Sequence, residues 1–352
     1  MTKIVFKDIR IAGISGAVPK NKVNNLKDHK FISLEERKKA IKLTGINEYR
    51  KALTSQCTSD FCELAAKKLL KDLRIKSDSI DGIIFITQTP DYILPSTACL
   101  LQNKLGCYQT TLAFDVNLGC SGFVYGLYIA CSFIQGGSLK RVLLLVGDTQ
   151  TKLSYNKDKN VVFLLGDAGT ATIIEASPGA PEIKMKFMTD GSRYDKLIVP
   201  AGGFRFPSSK ETRTIKTQAD GGIRSGEHIY MDGMEIFNFS IIDVVKTVKE
   251  FIEDENIEIE EIDYLILHQA NKFMTDKIAK KLMFSPEKVL YSLDYYGNTS
   301  CASIPLTIVH HFSKMQDKSY KRCLLSGFGV GLSWGVVDIL LEDICCPPVI
   351  EY

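Results

Sequence analysis

The stretch DVNLGCSGFVYGL, residues 115–127, sets a single cysteine between a strand-like run and a helix-like one. LAFDVN (112–117) has the branched and aromatic residues of a short strand, and SGFVYGLYIA (121–130) spaces its apolar residues as a helix does. Cys120 therefore stands at a helix N-terminus, where unpaired N–H groups and the helix dipole favour a thiolate. Gly119 and Gly122 leave room for a close backbone or ligand approach. The same place also suits a small buried cysteine filling a tight junction. The stretch alone leaves both readings open.

Working outward, the chain echoes itself. DGIIFITQTPDY (81–92) and IDYLILHQANKF (262–273) are each a short apolar run ending in a polar loop. LAFDVNLGCSGFVYGLYIACSFI (112–134) reads as strand, glycine turn and helix, and VLYSLDYYGNTSCASIPLTIVHHF (289–312) does likewise. RVLLLVGDTQ (141–150) and LLGDAGTATIIEA (164–176) supply two further strands, matched by RCLLSGFGVGLSWGVVDILLE (322–342). An amphipathic helix precedes each set, at 59–73 and at 240–257. This predicts an α/β protein of two pseudo-duplicated halves, 1–176 and 177–352, each a mixed sheet with helices on its faces. Such halves pack through shared helices and leave a site at the seam. The polar run 200–228 reads as a long loop at the entrance.

Composition excludes several classes of function. With 352 residues, 45% hydrophobic and 24% charged, the chain can bury a large core. A net charge of +3 is too mild for a nucleic-acid binder. No run reaches the roughly 18 apolar residues of a membrane span. The alternating MTKIVFKDIRIAGISG reads as a strand and not as a secretory signal. Ten cysteines without paired metal spacing suggest buried thiols in a reducing cytoplasm, with Cys62, Cys99, Cys131 and Cys323 in the core.

Three other positions stand out. His268 directly follows three apolar strand residues, at the strand end where α/β sites gather. Asn298 lies in the turn that echoes the Cys120 turn, so a two-fold relation between the halves brings both helix mouths to one seam. GFGVGLSWG (327–335) suits a tight turn with backbone N–H groups turned inward. Each has a plainer reading as well: a structural histidine, a helix cap, a glycine loop without further purpose.

Taken together, the motifs become specific. TGI (44–46), PSTACLLQNKLG (95–106), the cysteine turn, LLGDAGTA (164–171), HQAN (268–271), YGNTS (296–300) and GFGVGLSWG occur in an order that resembles the thiolase-like condensing enzymes, most closely β-ketoacyl-acyl-carrier-protein synthase III. The resemblance implies a thiolase-like fold in αβαβα layers and a homodimer that works with acyl carrier protein, without metal or cofactor. It also implies the reaction: acyl transfer to Cys120, then decarboxylative Claisen condensation with malonyl-carrier protein. Cys120, His268 and Asn298 match the family's triad, and the backbone N–H groups of Cys120 and Val330, beside Gly329, its oxyanion donors. For Cys120 to act, its pKa must fall from about 8.5.

Other residues follow from the same resemblance. Leu94, Phe237, Asn271 and Phe328 match substrate-binding positions, with Leu94 in a loop that reaches across the dimer. Lys272, Lys277, Lys280 and Lys281 recur at helical spacing and make a basic face for the acidic carrier. The sequence departs from acetyl-CoA-using members where they hold adenine. Lys39 stands for a tryptophan, Leu43 and Lys159 for arginines, and Met234 for an asparagine. The expectation is a starter acyl group delivered on a carrier protein, or on CoA held differently. The rival reading is a thiolase-like acyltransferase that passes its acyl group to a hydroxyl or amine.

Overall fold

The structure, a computed structural model, describes residues 4–317 and 319–352. Two mixed sheets dominate it. In one, six strands lie in the order 350–351, 9–18, 168–176, 141–148, 82–86, 112–116; in the other, five lie in the order 4–6, 183–189, 333–341, 321–329, 264–267. Gly82–Ile86 runs parallel to Arg141–Asp148, which pairs antiparallel with Ala168–Ala176. Tyr264–Leu267 runs parallel to Lys321–Gly329, which pairs antiparallel with Ser333–Leu341. The internal echo is therefore real in space. Each sheet also takes one edge strand from the far end of the chain: Ile4–Phe6 joins the second and Ile350–Glu351 the first.

Strand alternation builds the layers. Successive side chains leave opposite faces of a strand, so Ile84, Ile86, Leu144 and Val146 face inward while Ile83, Phe85, Leu143 and Leu145 face outward. The inward set meets Leu325, Val337 and Ile339 of the second sheet across Phe123, Val124, Leu127, Ile304 and Ile308. Those five residues belong to the helices Gly122–Gln135 and Ser303–Phe312, which form the middle layer. Both helices are apolar almost all round, as helices sandwiched between sheets must be. The helix Thr58–Leu73 covers the first sheet from outside through Phe61, Ala65 and Leu69. Val245–Asp254 and Lys272–Lys281 cover the second through Val248, Phe251 and Ile278. The sequence of layers is αβαβα.

Two local expectations need correction. Residues 289–297 form no strand: a single bridge, Leu265 to Val289, stands where the first sheet has Leu112–Val116. Leu293 and Tyr296, three apart and both buried, instead close a short helix that ends at Gly297 with φ +72°. Three-residue spacing puts them on one helical face. The 200–228 run is not featureless either. It holds a helical turn at Lys210–Arg213 and a ladder of Lys216–Thr217 with Ile223–Arg224. Buried Arg224 pins it to Asp158 at 3.2 Å and braces it internally on Asp220 at 2.7 Å. Among the described residues, no helix is long and apolar enough to cross a membrane.

Candidate active site

A cavity of about 810 Å³ opens at the seam between the sheets, and Cys120, His268 and Asn298 all line it. Cys120 sits just before the Gly122–Gln135 helix, anchored by a 2.7 Å bond between the hydroxyls of Ser121 and Ser333. Gly329, at φ +154°, lets the turn between the strands Lys321–Gly329 and Ser333–Leu341 press against the sulfur. A methyl group there would lie 2.6 Å from Cys120 Cβ and 2.7 Å from Sγ. The backbone N–H groups of Val330 and of Cys120 itself both reach the thiol.

The electrostatics differ from the expectation of a depressed thiol pKa. Burial pushes Cys120 up to about 11; the Val330 and Cys120 N–H groups and the Ser300 hydroxyl pull the other way, and the nearby Asp148 charge adds to the rise. Loss of water outweighs the hydrogen bonds that favour the thiolate. His268 follows Tyr264–Leu267 directly and is likewise buried, which lowers it to about 4. Its Nδ1 lies 2.8 Å from Ser303 Oγ, and Phe328 meets the ring edge-on at 5.6 Å. Both groups rest neutral.

Asn298 is fixed by its neighbours. Its backbone N–H donates to Leu164 O at 2.8 Å, its carbonyl accepts from Gly166 at 2.9 Å, and its Oδ1 accepts from Ser300 N–H at 2.9 Å. With Oδ1 engaged, the Nδ2 donor is the half left for a ligand.

The remaining expected residues divide. Phe237, Asn271, Phe328, Gly329 and Val330 line the cavity. Phe237 stacks on Phe273 at 5.6 Å, and Asn271 Oδ1 caps the Lys272–Lys281 helix through Met274 N–H at 2.8 Å. Leu94 does not line it: in the single chain its side chain is 80% exposed, in the loop that also exposes Tyr92 and Ile93. Leu43 and Met234 do line it and are exposed, whereas Lys39 and Lys159 are exposed and outside it. On the basic helix, Lys272 pairs with Asp276 at 2.9 Å, Lys277 lies over Phe273, and Lys280 and Lys281 are exposed in the last turn. Cys99, expected in the core, is exposed.

Sequence reasoning missed Ser300, the hub of this site. At φ +53° its hydroxyl accepts from Gln150 Nε2 at 3.0 Å and contacts both Cys120 and Asp148, while its backbone meets His268 and Asn298. A side chain so small carries no periodic signal. The other four histidines are held by structural contacts: His29 to Asn25, His228 to Ser225, His310 to Tyr296 and His311 to the Tyr291 carbonyl.

A thiolase-like α/β fold with cysteine, histidine and asparagine on one cavity wall defines a class, the condensing enzymes. Comparison with known proteins narrows it. Residues 114–191 match the family described as 3-oxoacyl-[acyl-carrier-protein (ACP)] synthase III, and residues 252–340 match its C-terminal part. A β-ketoacyl-[acyl-carrier-protein] synthase III of Caldanaerobacter subterraneus subsp. tengcongensis is 38% identical over 83% of this chain and 85% of its own. One from Clostridioides difficile is 34% identical over 92% and 96%. The crystal structure of a 3-oxoacyl-(acyl-carrier protein) synthase from Burkholderia xenovorans LB400 superposes with a TM-score of 0.93 at 36% identity, covering 100% of this chain and 99% of that one. The chain belongs to the 3-oxoacyl-[acyl-carrier-protein] synthase III family.

Proposed function

We propose that the protein condenses an acyl starter with malonyl-carrier protein, with Cys120 as nucleophile and His268 and Asn298 as donors to the malonyl thioester oxygen. The observation that carries this reading is the meeting of all three side chains, and of two inward N–H groups, on one cavity. Resting Cys120 is a neutral thiol, so attack waits for a thioester whose carbonyl oxygen occupies the Cys120 and Val330 N–H groups. The sulfur then bonds to the acyl carbon, the carrier thiol leaves, and the thiol proton goes with it. Malonyl-carrier protein enters next and loses carbon dioxide. Neutral His268 and the Asn298 amide hydrogen-bond the resulting enolate oxygen. The enolate carbon attacks the Cys120 thioester, the acyl carbon–sulfur bond breaks, the sulfur regains a proton from water, and the product leaves as a 3-oxoacyl-carrier thioester.

The exposed Leu43 and Met234 at the cavity favour a starter arriving on a carrier protein, since neither stacks on adenine nor pairs with phosphate. The helix bearing Lys280 and Lys281 offers the acidic carrier a basic face, and the exposed Tyr92–Leu94 loop suits contact with a second copy of the chain. The decisive test is carbon dioxide release from malonyl-carrier protein by the wild type and by Cys120→Ala, with starter supplied as acetyl-CoA or as acyl-carrier protein. Starter-dependent release that Cys120→Ala abolishes is expected. Acyl transfer to a hydroxyl or amine without release would establish the rival reading.

A further inference from the structure

Behind the cavity wall lies a carboxylate that this chemistry does not use. Asp148 ends the strand Arg141–Asp148 and is fully buried. Its Oδ1 accepts from the Gln88 backbone N–H at 2.7 Å and from the hydroxyls of Thr87 and Thr89, each at 3.1 Å. Its Oδ2 accepts from Cys301 Sγ at 3.2 Å, and the Ser300 hydroxyl reaches the same carboxylate. Among the described residues, all five partners are donors and none is a cation. Three neighbouring thiols feel its charge: Cys301 in the turn after Asn298, Cys62 on the Thr58–Leu73 helix, and Cys120 itself.

The partners belong to separate parts of the site. Gln88 lines the cavity, and Ser300 and Cys301 lie two and three residues after Asn298. We propose that Asp148 is a positioning residue, which clamps the 87–89 wall to the Ser300–Cys301 turn and sets a negative charge behind the Cys120 sulfur. The Ser300 hydroxyl accepts from Gln150 and shares its proton between Asp148 and the Cys120 sulfur, on a backbone whose φ of +53° needs outside support. That same backbone holds Asn298 Oδ1 and meets His268. The clamp therefore orients the two enolate donors from the rear, and the charge opposes early ionisation of the nucleophile.

The inference rests on the condensing-enzyme reading, but its test separates the two. Asp148→Asn keeps the shape and removes the charge. Its amide turns a donor toward Ser300 and Cys301, which are donors themselves. The pH midpoint of Cys120 alkylation by iodoacetamide, followed by peptide mass spectrometry, should fall by about one pH unit. In the same variant, kcat for condensation should drop roughly tenfold to a hundredfold with the KM for malonyl-carrier protein nearly unchanged. A merely structural role would not lower the midpoint. An unmoved midpoint, or condensation within twofold of wild type, would overturn the proposal. Should Asp148→Asn fail to fold, the wild type still decides: an alkylation midpoint at or below the ordinary cysteine value of about 8.5 would overturn it too. The broader reading fails by a different sign, a wild-type Cys120 that no thioester acylates.

Discussion

Replacing Gly329 by alanine is the sharpest test of how the thiol is seated. The added methyl would stand 2.6 Å from Cys120 Cβ and 2.7 Å from Sγ. Carbon atoms in contact prefer about 3.5–4.0 Å, so the cysteine would have to retreat by about 1 Å. The backbone must also keep φ near +154°, a region side chains avoid, at a cost of about 1–3 kcal/mol. Stability should fall by that amount and the fold persist. Acylation should fall much further, because a misplacement of about 1 Å is worth about a hundredfold in rate. The assay is the rate of mass gain on Cys120 from an acyl thioester, with thermal melts alongside. Gly191→Ala is the control, since a methyl there meets nothing within 4 Å. Acylation of Gly329→Ala within twofold of wild type would show that the turn does not press on the sulfur, and the account of the oxyanion donors would go with it.

Other outcomes follow from the same geometry. Ser300→Ala removes the hydroxyl that Gln150 donates to and that contacts Cys120 and Asp148, and should cost roughly tenfold or more in condensation kcat while circular dichroism stays unchanged. Buried His268 binds a proton less readily when folded, about 4 against 6.5 unfolded, so its contribution to stability is complete above pH 6.5 and is lost as pH falls toward 4. That loss amounts to about 3 kcal/mol. Denaturant titrations at pH 7 and pH 4.5 should show it, and His268→Gln should flatten that part of the profile. Reversing Lys280 and Lys281 to glutamate should raise the KM for malonyl-carrier protein several-fold at low salt and little at high salt, with melting temperature unmoved.

The parts of the fold that could be read from sequence were those with strong periodicity. Apolar runs such as Arg141–Asp148 and the helix Gly122–Gln135 announce themselves because burial on both faces leaves few polar positions. Residues 289–297 misled, because Val289, Leu290 and Tyr291 have strand-like side chains while the chain around Leu293 turns helical to bury Tyr296. That Cys120, His268 and Asn298 come to one cavity was legible because each sits where a run of one pattern stops. The thiol's raised pKa was not, since the helix mouth is visible in sequence and the depth of burial is not. Asp148 carried an unused signal: a charged residue closing LLLVG stands where His268 stands after LIL. Leu94 shows a limit of another kind, for its motif matched a substrate-binding position while its side chain is exposed and off the cavity.

The exchange of terminal strands, Ile4–Phe6 into one sheet and Ile350–Glu351 into the other, means that neither sheet closes without peptide from the opposite end. Cutting the chain at its midpoint would strip each fragment of its selvedge and bare the hydrogen-bonding rims of Ile9–Val18 and Ile183–Thr189. Naked rims of that kind recruit stray strands. Separately expressed fragments should precipitate alone and dissolve when made together. Each sheet thus depends for its rim on the opposite end of the same thread, and the two sheets are not separable at the chain's midpoint.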